Sequence, residues 1–394
     1  MRPVQVLARG SLTERECDTS HARPLNILHV FRAPVGGLFR HVVDLARGQI
    51  ARGHRVGLIA DASTGGAQAE AMLTALAPQL ALGLSRVPMS RQVGLRDVTA
   101  RAHVGWRASE TRADVLHGHG AKGGAYARLA RAGQAIRVYT PHGGSLHFNW
   151  NSPTGFLYLD TERVLMRTTD LFLFESRYGS EVFRAKIGDP GARARVVHNG
   201  VAAAEFTPIA VDAQATNLVF VGELRMLKGV DVLIKAVALL ARDGRRVTAT
   251  IVGDGPDRPA FEALVAAESL GEAIRFVGAR PAREAFALGR LLVVPSRAES
   301  LPYIVLEAAA AGVPLIATEV GGIPEILGAD AADLVAPGDP AALARAIGAA
   351  LTDPAAKGGA ARRLQGHIRA DFSAEAMTDA VLAAYEAALT RRHG

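Results

Sequence analysis

Short, continuous apolar runs alternate with helical patterns along most of the chain, and this alternation limits the possible folds more than any other feature. Such runs, with helices between them, are typical of parallel strands buried on both faces of a sheet. The first series of predicted strands lies at 26–31, 55–60, 114–118, 137–140, 170–174 and 195–198. The second series lies at 218–221, 248–252, 274–277, 291–294 and 314–318. The sequence therefore predicts an α/β protein with two parallel sheets.

The helical patterns and the chain length predict how the two series are organised. Helices are predicted at 38–52, 154–168, 230–242, 258–269, 302–311, 340–351 and 373–392. A chain of 394 residues is longer than one hydrophobic core usually serves, so two domains are expected. The segment 205–217 has little periodicity and is the predicted linker. The predicted parts are a flexible extension at 1–24, domains at 25–208 and 209–372, and a C-terminal helix at 373–394.

Composition excludes several classes of protein. Cys17 is the only cysteine, which excludes a disulfide framework and any cysteine-ligated metal site. The apolar runs are shorter than the roughly 18 residues of a membrane span, and the segment 1–24 has no apolar signal core. A reducing cytoplasm is therefore the expected compartment. Net charge is +7, but charges of both signs are interspersed, so we expect no nucleic-acid partner.

Two glutamates, Glu299 and Glu307, lie on either side of Pro302, where a predicted helix follows an apolar strand. In parallel α/β sheets, the helix N-terminus after a strand is where phosphorylated ligands bind. Carboxylates repel phosphate, so this pair is suited to the hydroxyl groups of a ligand whose middle is anionic. A nucleoside-diphosphate sugar has that layout. The alternative for Glu307 is a helix-surface residue paired with arginine, although its neighbours are apolar.

Three further residues carry chemistry, each with a simpler alternative. Lys228 precedes a predicted helix and could neutralise a diphosphate leaving group; otherwise it is a solvent-facing lysine. His142 ends a predicted strand in a Pro-His-Gly-Gly turn, where its imidazole could contact a sugar hydroxyl; a lone histidine is more often structural. Gly37 could present its N–H to phosphate or acceptor, or could belong to an ordinary tight turn.

The chain resembles the family-four retaining glycosyltransferases of the GT-B fold, in which two Rossmann-like domains face each other across a donor cleft. The resemblance runs from Leu25 to the end and rests on eight signatures that occur in order. They are 36–42 (GGLFRHV), 140–143 (TPHG), 198–201 (HNGV), 221–229 (VGELRMLKG), 251–256 (IVGDGP), 276–278 (FVG), the pair Glu299/Glu307, and 320–325 (VGGIPE).

The resemblance implies a retaining, metal-independent transfer from a nucleotide sugar to a glycan or lipid-linked acceptor, without a cofactor. It implies catalytic roles for His142, Lys228 and Glu299, with Glu299 on the donor-sugar hydroxyls, and a ribose contact for Glu307. It also implies substrate contacts by Gly37, Val277, Ser300, Leu301 and Ile304. The C-terminal helix is expected to cross back to the first domain. Bacterial surface polysaccharide or glycolipid assembly is the implied setting.

One position departs from the family pattern. Relatives usually have an arginine directly after the glycine that corresponds to Gly222. This chain has Glu223 at that position, and an arginine follows two residues later, at Arg225. A glutamate beside a diphosphate would repel it, so we expect Arg225 to reach the phosphates and to act as a further catalytic residue. The alternative is that Arg225 is a surface residue and Lys228 acts alone.

The acceptor side is less clearly marked. The loop 145–151 has aromatics suited to stacking on a sugar or lipid, or simply to packing. In 91–109, helical geometry predicts a basic stripe of Arg96, His103 and Arg107, suited to an anionic lipid or to solvent. Peripheral contact with the inner membrane surface is therefore possible. Two other functions stay open: a GT-B epimerase or phosphorylase, and a catalytically silent sugar-nucleotide-binding protein.

Overall fold

The computed structural model describes residues 23–90, 92 and 94–393, so Cys17 and nearly all of the predicted extension at 1–24 lie outside the described residues. The first sheet has seven parallel strands in the order β3-β2-β1-β4-β5-β6-β7. They are β1 (Asn26–Phe31), β2 (Arg55–Asp61), β3 (Leu84–Val87), β4 (Val115–His119), β5 (Ile136–Thr140), β6 (Leu171–Phe174) and β7 (Ala194–Val196).

The second sheet has five parallel strands in the order β10-β9-β8-β11-β12. They are β8 (Thr216–Val221), β9 (Ala249–Val252), β10 (Ile274–Phe276), β11 (Gly289–Val294) and β12 (Leu315–Ala317). The two sheets confirm the predicted α/β class with two parallel sheets. The exact domain boundaries stay a prediction.

Helices connect the strands and cover both sheets. They are α1 (Gly36–Ala51), α2 (Gly66–Leu76), α3 (Arg96–Glu110), α4 (Gly120–Leu129), α5 (Pro153–Leu165), α6 (Arg177–Lys186), α7 (Val230–Arg242), α8 (Arg258–Ala267), α9 (Ala282–Phe286), α10 (Tyr303–Ala310), α11 (Ile323–Leu327), α12 (Pro340–Thr352), α13 (Pro354–Asp371) and α14 (Ala374–His393). Local sequence marks several starts: Ser152, Asp339 and Asp353 each accept a hydrogen bond from a first-turn amide, with proline next in sequence. Within the described residues, we find no helix that combines the length and apolarity a membrane span requires.

In each sheet, the strand order reverses beside the first strand. β1 lies between β2 and β4, and β8 lies between β9 and β11. Ligands of open parallel sheets bind at the carboxyl ends of the strands next to such a reversal. The loops that follow β1, β8 and β11 are therefore positioned to form a site, and the loop after β5 lies at the same edge, beyond β4.

Helix α14 follows the second sheet in sequence but packs against α1, β5 and β6 of the first. Its residues Met377, Val381 and Tyr385 are buried in the same apolar core as β4, β5 and β6. We call β1–β7 with their covering helices the first unit and β8–β12 with theirs the second unit. The segments that leave and re-enter the first unit are paired, because Val201 N–H donates to the Phe372 carbonyl at 2.9 Å. The helix thus crosses back to the first unit, as predicted, and its apolar side chains each contribute about 1.5–3 kcal/mol of burial energy.

Candidate functional site

A cavity of about 490 Å³ lies between the two sheets, at the carboxyl ends of their strands. The predicted site residues that line it are Gly37, His142, Lys228, Glu299, Ser300, Leu301, Ile304 and Glu307. Other lining residues that the sequence did not single out as functional include Arg40, Glu175, Asn199 and Tyr303. The fold therefore brings residues from distant parts of the sequence into one site.

Lys228 and Glu299 form an ion pair in the wall of the second unit. Lys228 Nζ lies 2.7 Å and 2.9 Å from the two carboxylate oxygens of Glu299, and Ser296 Oγ donates to Oε1 at 2.7 Å. The turn that places Lys228 needs glycine at Gly229, where φ is +70° and a Cβ would lie 1.9 Å from the Pro295 carbonyl oxygen. The two predicted functional groups are thus held together.

Glu307 is a nearly buried carboxyl group of the site. It lies on α10, its residue is 8% exposed, and its neighbours Leu306 and Ala308 are fully buried. Burial raises the pKa of Glu307 to about 7, although the nearby Arg40 guanidinium acts in the opposite direction. At neutral pH this carboxyl group is therefore divided between its charged and uncharged forms.

Arg40 of α1 reaches across the cavity to Glu307. Its Nη1 donates to Glu307 Oε1 at 2.6 Å, while Nε and Nη2 donate to Asp44 at 2.6 Å and to Glu205 at 2.8 Å. Sequence reasoning missed this contact, although Arg40 lies within the signature 36–42. The predicted ribose carboxylate is therefore shared with a cation of the opposite wall.

His142 follows β5 in a strained turn, with φ of +51° at His142 and +73° at Gly143. Its Nε2 lies 3.1 Å from His119 Nδ1, and its ring centroid lies 4.8 Å from that of His41. Burial lowers the pKa of His142 to about 3, so the imidazole is neutral at ordinary pH. A neutral imidazole offers one donor and one acceptor to a ligand.

Glu175 is a further carboxyl group in the cavity wall that the sequence did not indicate. It follows β6, it is buried, and it accepts a hydrogen bond from Ser300 Oγ at 2.5 Å. Burial raises the pKa of Glu175, and the hydrogen bond from Ser300 offsets part of the rise. Asn199, which lies in the signature 198–201, spans the units, since its Nδ2 donates to the Leu301 carbonyl at 3.0 Å.

Two predicted site residues do not line the cavity. Arg225 Nε lies 3.6 Å from Glu223 Oε1 in a half-exposed pair, and it is Glu223 that borders the cavity. Val277 follows β10 and packs against the core of the second unit, with its N–H donating to the Ile251 carbonyl at 3.1 Å. We expected this loop to bring Arg225 into the cavity. In the structure, Arg225 lies outside the cavity lining.

The acceptor-side features also differ from expectation. In the loop 145–151, Phe148 stacks on Tyr158 and Trp150 donates to the Lys186 carbonyl, which favours packing. On α3, Arg107 turns inward and donates to the Leu82 carbonyl, so it does not join Arg96 in the predicted basic stripe. Apolar side chains are exposed in the same segment beside Arg96 and Arg101, with Leu95 89% and Trp106 55% exposed.

Among the residues that the structure describes, two groups of three histidines have the geometry of a metal site. They are His29, His117 and His119, and His41, His119 and His142, with ring nitrogens within 4.8 Å of one another in each group. Both ring nitrogens of His29, His117 and His119 already have hydrogen-bond partners. A metal ion would have to displace those bonds, so the first group fits a hydrogen-bonded network better.

Two family models match consecutive parts of the chain, "Glycosyltransferase Family 4" over residues 35–205 and "Glycosyl transferases group 1" over residues 215–353. The chain belongs to the family-four, group 1 glycosyltransferases. This confirms the predicted family.

A glycogen synthase of Mycobacterium tuberculosis is one of the relatives of this chain. The two are 32% identical over 234 residues, which cover 58% of this chain and 56% of the relative. A D-inositol 3-phosphate glycosyltransferase of Nocardia farcinica is 32% identical over 228 residues, which cover 55% of this chain and 50% of the relative. The chain thus matches about half the length of these relatives.

Two solved structures show the fold of this family member. HepE of Anabaena, solved in complex with UDP, is 20% identical with a TM-score of 0.74, covering 92% of this chain and 100% of HepE. Sucrose-phosphate synthase of Thermosynechococcus elongatus is 21% identical with a TM-score of 0.76, covering 94% and 100% of the two chains. The fold is GT-B, as predicted.

Proposed function

We propose that this protein is a retaining glycosyltransferase that moves a sugar from a nucleoside-diphosphate sugar to a glycan or lipid-linked acceptor without a metal ion. One observation carries the proposal: the cavity places Lys228, Glu299 and Glu307 on one wall, facing His142 on the other. This arrangement supplies a cation for the diphosphate. It also supplies one carboxylate for the ribose hydroxyls and one for the hydroxyls of the donor sugar, on either side of the diphosphate.

The second unit is suited to the donor. The ammonium group of Lys228 has three N–H donors, of which two point at Glu299, so the third is available to a phosphate oxygen. The N-terminus of α10 adds the positive end of a helix dipole. Glu307 would accept from ribose hydroxyls and Glu299 from the sugar. Because HepE is described in complex with UDP and UDP-glucose, uridine nucleotides are the first donors to test.

The first unit is suited to the sugar and the acceptor. Neutral His142 borders the cavity and can hydrogen-bond a sugar hydroxyl without adding charge. Departure of the diphosphate on the face that the acceptor attacks, with a phosphate oxygen taking the acceptor proton, retains the anomeric configuration. Glu175 is bound by Ser300, so we assign it a positioning role rather than that of a covalent nucleophile.

The exposed apolar surface of the first unit supports a lipid-linked acceptor. Val98, Leu129 and Leu157, from α3, α4 and α5, line a groove of about 350 Å³. Leu95, directly before α3, and Trp106 on α3 are exposed as well. Apolar side chains beside arginines are typical of contact with an anionic membrane surface. Replacing Leu95 and Trp106 with serine should reduce co-sedimentation with phosphatidylglycerol vesicles, whereas Val211→Ser, an exposed apolar control outside this surface, should not.

The activity is tested with a panel of UDP-, GDP- and ADP-sugars. The preferred donor should raise the melting temperature, since a ligand that binds only the folded state stabilises it. It should also release nucleoside diphosphate in the presence of EDTA, with transfer to an acceptor sugar or lipid. Loss of activity in EDTA that Mg²⁺ restores would contradict the metal-independent mechanism.

The products separate the proposal from its alternatives. NMR of the product from an α-linked donor should show an α-linkage, and a β-linkage would exclude retention. A new nucleotide sugar formed without acceptor would indicate an epimerase, and a requirement for orthophosphate would indicate a phosphorylase. Binding with neither transfer nor donor hydrolysis would indicate a silent binding protein.

A further inference from the structure

A chain of hydrogen-bonded side chains leads from the cavity into the interior of the first unit. His142 Nε2 lies 3.1 Å from His119 Nδ1, and His119 Nε2 lies 2.9 Å from His29 Nδ1. His29 Nε2 then lies 2.8 Å from the amide oxygen of Gln49 on α1. We call Gln49, His29, His119 and His142 the histidine chain. It links the cavity to a residue that does not border it.

The fold explains how the sequence builds this chain. β1 and β4 are adjacent, with Phe31 opposite His119 in register. His117 and His119 are two positions apart in β4, so their side chains lie on the same face of the sheet. That face is covered by α1, which carries Gln49, and by α14, which carries Tyr385. Parallel strand pairing and two helices therefore bury the imidazoles of His29, His117 and His119, while His142 borders the cavity.

Each imidazole of the histidine chain is neutral. Burial lowers the pKa of His29 to about 4, that of His142 to about 3 and that of His119 well below its ordinary value. A neutral imidazole has one N–H and one acceptor nitrogen. Consecutive hydrogen bonds between such rings must therefore all run in the same direction, and the group at the closed end decides which direction that is.

The closed end is Gln49, whose amide oxygen lies 2.8 Å from His29 Nε2. The amide nitrogen of Gln49 is buried and has no hydrogen-bond partner among the described residues. An amide oxygen can only accept a hydrogen bond, so His29 Nε2 must carry the proton in this contact. Gln49 therefore presents an acceptor to His29.

We propose that Gln49 determines which nitrogen of His142 carries the proton. The Gln49 oxygen accepts from His29 Nε2–H, so His29 Nδ1 accepts from His119 Nε2–H. His119 Nδ1 in turn accepts from His142 Nε2–H. His142 Nδ1 is then left unprotonated, and within the described part of the chain it has no hydrogen-bond partner. His142 thus offers the cavity an acceptor.

This inference adds a ligand preference to the proposed function, on which that preference rests. An acceptor nitrogen takes a hydrogen bond from a hydroxyl group and repels the lone pairs of a phosphate oxygen. His142 should therefore select a hydroxyl of the donor sugar, leaving the diphosphate to Lys228. Gln49 is a positioning residue for this contact, because it acts only through His29 and His119.

The protonation state is measured directly by NMR, with all histidines labelled with ¹⁵N. Long-range ¹H–¹⁵N correlations distinguish an Nε2–H imidazole from an Nδ1–H imidazole, and comparison with His142→Gln identifies the signals of His142. We expect Nε2–H at His142 in the unsubstituted protein. Nδ1–H there would overturn the proposal, and this measurement requires neither donor nor activity.

Two variants test the role of Gln49. Gln49→Met keeps the volume but leaves the His29 N–H buried without an acceptor, and reversal of the whole chain relieves that cost. The Nδ1–H form of His142 should then rise from below about a tenth to a comparable population. Thr378→Val is the matched control, since Thr378 is buried in the same α1–α14 contact and its hydroxyl bonds only the Ala374 carbonyl among the described residues.

The variants separate this inference from a purely structural effect. An unchanged His142 proton in Gln49→Met, or an equal shift in Thr378→Val, would overturn the role of Gln49. Turnover of Gln49→Met should fall about three- to tenfold with free-nucleotide affinity retained, because the lost contact is to the sugar. If no nucleotide sugar binds at all, the proposed function fails while the NMR result still decides the histidine chain.

Discussion

The raised pKa of Glu307 predicts that nucleotide binding depends on pH. Ribose hydroxyls donate stronger hydrogen bonds to an ionised carboxylate than to the protonated group, so the ionised form favours binding. Because the pKa of Glu307 is about 7, this form is the minority at pH 6 and the majority at pH 8. Nucleoside-diphosphate affinity should therefore increase as the pH rises through 7.

The size of the effect follows from the same value. If only the ionised form binds, the apparent dissociation constant is multiplied by one plus the ratio of protonated to ionised carboxyl. That factor changes about tenfold between pH 6 and pH 8, which corresponds to about 1.4 kcal/mol. At pH 7, binding should release about half a proton. Arg40 holds Oε1, so the ribose is expected to use Oε2.

Isothermal titration calorimetry at pH 6, 7 and 8, in buffers of different ionisation enthalpy, measures both quantities. The nucleotide's own terminal phosphate also titrates near pH 6, so Glu307→Gln serves as the reference that lacks only the carboxyl titration. Equal pH slopes for the two proteins would refute the ribose role of Glu307 or its raised pKa.

Three further predictions follow from named contacts. Glu299→Gln should leave the affinity for free nucleotide within about threefold of the unsubstituted protein but lower turnover by about 10²-fold, as steady-state kinetics would show. Equal losses of affinity and turnover would contradict a sugar-specific role. Arg225→Ala should keep turnover within about threefold, because Arg225 does not line the cavity and its guanidinium faces Glu223. A loss of about 10²-fold in the same assay would restore its phosphate role. Arg128→Met should lower the free energy of unfolding, measured with denaturant, by about 3–5 kcal/mol. Arg128 Nη1 donates to Glu162 at 2.7 Å, so the substitution leaves a buried carboxylate without its cation. Replacing both residues with apolar ones should recover much of that loss, and no recovery would show that packing rather than charge is responsible.

The sequence predicted the elements whose patterns are complete within a short segment. The strand at 26–31 and the helix at 230–242 have the bounds that were expected, because burial on both faces or on one stripe is visible in the residue order. β3 was missed because its four residues are only half-buried at a sheet edge. Helix α13 was missed because its residues 354–371 are mostly small or polar.

Within the site, sequence motifs identified residues but not their pairings. The motifs selected Lys228, Glu299, Glu307 and His142, which all line the cavity. The contact between Arg40 and Glu307 joins positions 267 apart, so it depends on how the two units face each other. The histidine chain depends on the order of strands in the sheet, which local patterns do not specify. The position of Arg225 depends on one loop conformation.

The return of α14 to the first sheet has a consequence for how the protein is made. All seven strands of that sheet leave the ribosome before the second sheet, but the helix that covers part of their apolar core emerges after it. Contacts between such distant segments form late, because the intervening chain must first be ordered. During synthesis, the first half must therefore keep an apolar face exposed, where chaperones or other nascent chains can bind.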